Sequence, residues 1–322
     1  MIALLLLAAC AGRRPVEKVT VPPGASLRQV EDSLAVHGLV WRPWFRLVAK
    51  LGRFERSLKP GVYQFAPGTS SLAILRDLRD GRFLSVKVTV PEGHTIYDIA
   101  AAGSTGLGFP RDSLLAAARD PGLLRKYGIH ANTAEGYLAA DTYFVPAHSS
   151  ARELVGMMLE QFRARWDPAW DAELERRDLT RHEALTLASI VEAEARVDEE
   201  RPIIAAVYLN RIRIGMPLQA DPTVQYAMMQ QTGERKPRLY YNDYRFESPY
   251  NTYLMRGLPP GPVGAPSRAS ILAVLRPAEV PYLYFVARPD GRHTFSRNYT
   301  DHLRAIAESR RGSKAAEGGR SQ

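Results

Sequence analysis

Cysteine is almost missing from this chain: Cys10 is the only one in 322 residues. That excludes a disulfide framework and a site built from several thiolates. The seven histidines are scattered, and no His-Glu-x-x-His spacing joins them on a helix. Neither a metal nor an organic cofactor is expected. The glycine-rich stretch Gly257-Leu-Pro-Pro-Gly-Pro-Val-Gly264 lacks the Gly-Lys-Ser/Thr ending of a phosphate loop. Its prolines make it a rigid connector instead. The net charge is +9, yet the 43 basic residues are spread along the chain. No arginine run interleaved with aromatics, no zinc-finger spacing and no RNA-binding signature stands out, so a nucleic-acid partner is not expected.

A membrane-length hydrophobic run is also missing. Residues 2–11 form an unbroken apolar stretch that stops at Arg13-Arg14, whereas a helix spanning a bilayer takes about 20 such residues. The stretch has no basic n-region of a signal peptide. It fits the tail of a transmembrane helix that starts upstream, or a lipoprotein signal with Cys10 as the lipid anchor, or a merely hydrophobic terminus. The first is preferred. Either of the first two attaches the chain to a membrane from outside the cytoplasm.

What the chain does have is ordinary globular composition, 45% apolar and 24% charged, with a length that allows two or three domains. The expected fold class is α+β. Val19-Thr-Val-Pro-Pro-Gly-Ala-Ser-Leu-Arg-Gln-Val30 reads against Val88-Thr-Val-Pro-Glu-Gly-His-Thr-Ile-Tyr-Asp-Ile99 as an internal repeat. Each copy predicts a strand, a Pro-x-Gly turn, a Ser or Thr cap and a helix. This opening resembles the LysM carbohydrate-binding module, although any βα unit begins this way. Residues 34–51 are helical in pattern, 70–78 predict a helix stopped by Gly81, and 111–127 predict another. The expected division is a terminal anchor or signal over 1–14, a LysM-like βα region over 15–131, a mixed α+β domain over 132–310 and a disordered tail over 311–322.

The rest of the chain is organised around residues 180–194. Thr180 and Glu183 form a capping box that starts a helix. Ala184, Leu187, Ala188, Val191 and Ala195 recur at helical spacing, which turns one stripe toward a core. Glu192 and Glu194 close this helix. Residues two apart do not share a helix face, so the two carboxylates point different ways. Burial of Glu194 against Ile190 and Val191 would keep it protonated near neutral pH, as a general acid requires. Taken alone, the helix pattern fits two solvated charges better.

A further helix starts at Glu199-Glu200-Arg-Pro202, with Ile204, Val207, Tyr208 and Arg211 on one face. After it, Gln219, Asp221, Thr223 and Tyr226 lie in or just after a short polar loop, and Asn251 and Tyr253 lie in an aromatic and amide loop. A polar cluster just after a buried helix pair suits a substrate-contacting loop. The stretch Ala134-Glu-Gly-Tyr-Leu-Ala-Ala-Asp-Thr-Tyr-Phe-Val-Pro146, rich in aromatics and hydroxyls, suits sugar rings, whose faces are apolar and whose edges carry hydroxyls, although a core explains its aromatics too. An Asp-Pro turn capping the next helix explains the first loop equally well. Residues 283–286 and 294–299 predict a hairpin across Asp290-Gly291.

These blocks together resemble the MltG/YceG-like family, the endolytic murein transglycosylases, over residues 19–306. The resemblance rests on Ala188-Ser-Ile-Val-Glu-Ala-Glu194, Asn210-Arg-Ile-Arg-Ile-Gly-Met216, Leu218-Gln-Ala-Asp-Pro-Thr-Val224, Ser248-Pro-Tyr-Asn-Thr-Tyr253, Gly257-Leu-Pro-Pro-Gly261 and Tyr282-Leu-Tyr-Phe-Val286, in that order. It implies an enzyme acting on peptidoglycan glycan strands, with Glu194 as the catalytic acid. Gln219, Asp221, Thr223, Tyr226, Asn251, Tyr253 and Glu192 are then candidates to hold the glycan. It also implies a single-pass anchor in the cytoplasmic membrane, a catalytic part facing the periplasm or wall, and peptidoglycan synthases as partners. One acid suffices for such a reaction, because the muramyl 6-hydroxyl displaces the leaving sugar and closes a 1,6-anhydro ring. A hydrolytic muramidase with Glu192 or Asp221 as second carboxylate is one alternative. A non-catalytic wall-binding scaffold is the other.

Overall fold

The structure is a computed structural model that describes residues 15–54 and 57–318. The expected anchor over 1–14, with Cys10, lies outside these residues. Among the described residues no helix is long and apolar enough to cross a membrane.

The described residues form two compact units: those up to residue 87 together with 144–149, and residues 88–143 together with those from 150 on. The expected boundary near residue 132 thus falls inside the second unit. The two copies of the repeat belong to different units.

In the first unit, β1 (Glu17–Val21) pairs antiparallel with β2 (Gly61–Phe65), Glu17 opposite Phe65 and Val21 opposite Gly61. Between them run α1 (Leu27–Val36) and α2 (Arg42–Leu51), and α3 (Ser71–Asp80) follows. The helical pattern over 34–51 is broken where Gly38 takes a φ of 66° and Pro43 opens the next helix. Alternate strand residues and one stripe of each helix meet in a core that includes Val19, Val21, Leu34, Phe45, Tyr63 and Leu78. Glu31 is fully buried in this unit, and Arg46 pairs with both its oxygens at 2.7 and 2.9 Å. Gly81 ends α3 in the left-handed conformation, as expected.

The chain leaves the first unit within β3 (Ser85–Val90), which pairs with β4 (Asp141–Pro146). Then comes α4 (Ile96–Leu107). Both repeat copies do adopt strand, turn and capped helix. Ser26 and Thr95 each cap a helix in a complete capping box, and Gly24 and Gly93 each sit at a φ of 75° in the turn before it. The helix expected over 111–127 is two, α5 (Arg111–Ala117) and α6 (Pro121–Lys126), because Asp120-Pro121 restarts it.

The remainder of the second unit is helical. α7 (Ala151–Arg165), α8 (Ala169–Glu175) and α9 (Arg181–Glu194) precede α10 (Arg201–Arg213), α11 (Asp221–Thr232) and α12 (Arg268–Leu275). The hairpin of β5 (Tyr284–Ala287) and β6 (His293–Ser296) follows, with Tyr284 opposite Ser296. α9 packs against α8, α10, α11 and α12. Every residue from Ala184 to Val191 is buried. The expected single apolar stripe is therefore a helix enclosed on all sides, which its run of small and aliphatic side chains permits. α13 spans Tyr299–Gly318, so the stretch expected as a disordered tail over 311–322 is helical as far as Gly318, and residues 319–322 lie outside the described residues.

Candidate active site

Glu194 is the last residue of α9, and Ala195 leaves the helix with an extended ψ of 126°. The negative end of the helix dipole thus lies beside the carboxyl and opposes its ionisation. Tyr208, buried on the neighbouring α10, donates its hydroxyl to Glu194 Oε1 at 3.1 Å. Burial raises the Glu194 pKa from 4.5 to about 7, and the negative charge of Asp221 adds to the rise. The Tyr208 hydrogen bond and the Arg211 guanidinium oppose it. The site therefore holds one carboxyl protonated near neutrality while a second stands close enough to influence it.

Asp221 opens α11 and is exposed. Tyr253 donates to its Oδ1 at 2.6 Å and Tyr244 to its Oδ2 at 3.3 Å, and these two rings lie 4.5 Å apart. Both phenols are pushed up, by burial first and then by their carboxylate neighbour, so both stay protonated as donors.

The loop before α11 is fixed from two sides. Arg211 Nη1 reaches the Leu218 carbonyl at 2.5 Å, and its Nε reaches the Leu283 carbonyl at 2.7 Å. Gln219 N donates to the Thr252 carbonyl at 3.0 Å, and Ala220 N to Thr252 Oγ1 at 3.0 Å. Gln219 itself has a φ of 49°, uncommon for a residue with a side chain. Its side chain is exposed beside Asp221 in sequence.

Of the residues expected to hold a glycan, Asp221 and Tyr253 meet directly, and Gln219 lies on the same pinned loop. Three others are interior. Thr223 is fully buried, donating to the Ala220 carbonyl at 2.7 Å and meeting Thr252 Oγ1 at 2.9 Å. Asn251, also fully buried, donates to the carbonyls of Tyr244 at 3.0 Å and Phe246 at 2.8 Å. Tyr226 is interior, with its hydroxyl 3.0 Å from Glu135 Oε2. Each is occupied in shaping the loops, because a buried polar group needs an internal partner.

Glu192 goes the other way from Glu194. Its Oε2 accepts from Ser267 N at 2.9 Å and Ser270 Oγ at 2.8 Å, and pairs with Arg201 at 3.1 Å. It ties the starts of α10 and α12 to the end of α9 and has no bonding capacity left on that oxygen for a sugar. Ser189, one turn earlier, accepts from Val263 N at 2.9 Å and so anchors the proline-rich connector.

Sequence reasoning gave no site role to Glu135, Thr252 or Tyr244, and named Tyr208 and Arg211 only as part of one helix face. Glu135 is 1% exposed. It accepts from Ile96 N at 3.1 Å as well as from Tyr226, and burial pushes its pKa up to about 8. The one available signal for Tyr208 and Arg211 was a polar pair, one turn apart, on an otherwise apolar helix face. The chain does interleave guanidinium groups with aromatics in one place, Arg235-Lys-Pro-Arg-Leu-Tyr-Tyr-Asn-Asp-Tyr-Arg245, which the even spread of charge concealed.

The model of the YceG-like family matches residues 19–308. The chain is 30% identical over 315 residues to a protein named endolytic murein transglycosylase from Bacillus subtilis (strain 168), covering 90% of this chain and 86% of that one. It is 29% identical over 323 residues to a protein of the same name from Streptococcus pneumoniae serotype 2 (strain D39 / NCTC 7466), covering 90% of this chain and 58% of that one. A crystal structure of a putative YceG-like protein from Listeria monocytogenes superposes with a TM-score of 0.62 at 29% identity, covering 90% of this chain and 98% of that one.

Proposed function

The chain belongs to the YceG-like family, and from that premise we propose that it is a lytic transglycosylase that cuts peptidoglycan glycan strands internally. The scissile bond is the β-1,4 link from MurNAc to GlcNAc, and the product ends in 1,6-anhydro-MurNAc. The observation that carries this reading is the state of Glu194: a carboxyl held protonated to about 7, oriented by Tyr208 at 3.1 Å, at the end of an enclosed helix. Protonated, Glu194 gives its proton to the leaving glycosidic oxygen. The resulting carboxylate takes the proton of the muramyl 6-hydroxyl as that oxygen closes on the anomeric carbon. The balance is one bond broken, one formed and no water consumed. Gln219, Asp221 and Tyr253 bind the glycan near this acid.

In the same reading the first unit is a LysM-like wall-binding module; the strand-turn-helix opening with its capping box supports it. A single-pass anchor before residue 15 holds the enzyme at the cytoplasmic membrane with the catalytic part outside, beside peptidoglycan synthases. The apolar stretch of residues 2–11 supports that placement.

One observation favours a second reading. Asp221 is a second carboxyl that raises the Glu194 pKa electrostatically, a pairing that a muramidase would use to activate water. Mass spectrometry of glycan ends after digestion in ¹⁸O-labelled water separates the two. Unlabelled anhydro ends are expected. Labelled reducing ends would replace transglycosylation with hydrolysis.

A further inference from the structure

Residues 234–247 run alongside the catalytic loops and leave two large aromatic side chains in solvent. Tyr240 is 59% exposed and Tyr241 74%. Cations lie over both rings: Arg238 is 5.6 Å from the Tyr240 centroid and Arg245 is 5.0 Å from that of Tyr241. Neither guanidinium pairs with a carboxylate among the described residues; Arg245 reaches only the Tyr241 hydroxyl, at 3.3 Å. These two arginines are therefore open to an external anion.

The segment is held in place. Asp243 accepts from Tyr240 N at 2.6 Å and from Lys236 Nζ at 2.8 Å. Asn251 clamps the Tyr244 and Phe246 carbonyls. Through Tyr244 the segment joins Asp221 directly, and Tyr244 packs on Tyr253. Exposed rings on a fixed backbone form a platform that loses little freedom when a ligand lies on it.

Charge selects among ligands. Residues 234–247 contain four basic side chains, Arg235, Lys236, Arg238 and Arg245, against three acidic ones, Glu234, Asp243 and Glu247. A surface so nearly neutral is poorly suited to nucleic acid, which carries a phosphate at every residue, or to an anionic bilayer, which rewards clustered lysine and arginine. It suits a polymer of sugar rings with carboxylates at intervals. The apolar faces of the rings stack on tyrosine and the carboxylates meet single guanidinium groups.

We propose that residues 238–245 form an extended subsite that carries the glycan strand away from the scissile bond, with sugar rings on Tyr240 and Tyr241 and peptide-stem carboxylates on Arg238 and Arg245. The inference rests on the glycan-cleaving reading above. It adds how a strand is gripped beyond the acid, which internal cleavage of a long polymer needs.

The test is amide hydrogen exchange of the full chain carrying Glu194→Gln, with soluble peptidoglycan oligomers that do or do not bear peptide stems. Glycan should protect residues 238–245, and oligomers with stems should bind more tightly. Adding Tyr240→Ala with Tyr241→Ala should weaken the affinity read at this segment by about five- to tenfold for both ligands. Adding Arg238→Ala with Arg245→Ala should abolish only the advantage of stems. Glycan that leaves residues 238–245 unprotected, or protection by vesicles containing phosphatidylglycerol in its place, would overturn the proposal. The assay reads binding without turnover. A wild type that makes labelled reducing ends would refute the transglycosylase reading and leave this result standing.

Discussion

Glu192 and Glu194 leave the same helix end two residues apart, and they enter regions that use a carboxyl differently. Around Glu192 the partners are a backbone N–H, a serine hydroxyl and the buried Arg201. All three are donors that hold the carboxyl in place, and the group is a structural tie. Around Glu194 the direct hydrogen-bond partner among the described residues is the Tyr208 hydroxyl, and the charges that bear on its pKa are Asp221 and Arg211, of opposite sign. Desolvation prevails there, and the proton stays on. The difference lies in which neighbours each face of α9 meets: α12 and the start of α10 on one side, the middle of α10 and the loop before α11 on the other. Residue type alone would assign both the same role.

Substituting each in turn is the strongest way to break this comparison. Glu194→Gln keeps the size and removes the transferable proton, so glycan cleavage should fall by about 10²–10⁴. Glu192→Gln should keep much of the activity but unfold more easily, by about 1–3 kcal/mol, because Arg201 loses a buried partner. Rates on purified wall glycan and denaturant melts of both variants measure this. Equal losses of activity would erase the distinction.

A smaller effect comes from Glu135, the other carboxyl with a raised pKa. Its folded-state pKa of about 8 stands above the ordinary 4.5. The stability it confers is complete below about 4.5 and is lost as pH rises through about 8. Denaturant melts from pH 4 to 9 should therefore show a decline on the order of a few kcal/mol, and Glu135→Gln should flatten most of it. Glu194, raised to about 7, contributes the same sign over a narrower window. A decline that survives Glu135→Gln would place it elsewhere.

The smallest effect sharpens the role of Tyr208. Activity requires protonated Glu194, so it should fall as pH rises through about 7. Tyr208 lowers that pKa by donating to the carboxylate. Tyr208→Phe should move the alkaline limb of the rate profile upward by less than about one pH unit. A downward shift would mean that the hydroxyl does not stabilise the charged form.

Much of this was legible in sequence, for local reasons. The strand, turn and capping box at Ser26 and Thr95 are encoded within a dozen residues each, as is the capped start of α9 at Thr180. The opposed directions of Glu192 and Glu194 follow from helical geometry. Burial set by distant partners was not legible. Thr223, Tyr226 and Asn251 sit in polar, aromatic stretches that read as ligand loops. Their partners are Thr252, Glu135 and the Tyr244 and Phe246 carbonyls. Likewise, Arg211 looks like a helix-face cation until the Leu218 and Leu283 carbonyls are seen to receive it. Where the two units divide was not legible for the same reason: β3 belongs to a ribbon whose partner, β4, is dozens of residues later.

The most direct test of the acid assignment is a carbon-13 titration of the Glu194 carboxyl, identified as the signal lost from the spectrum of Glu194→Gln. A midpoint near 7 is expected. A midpoint in the ordinary glutamate range, about 4.3, would leave Glu194 ionised at neutral pH and contradict its role as the proton donor.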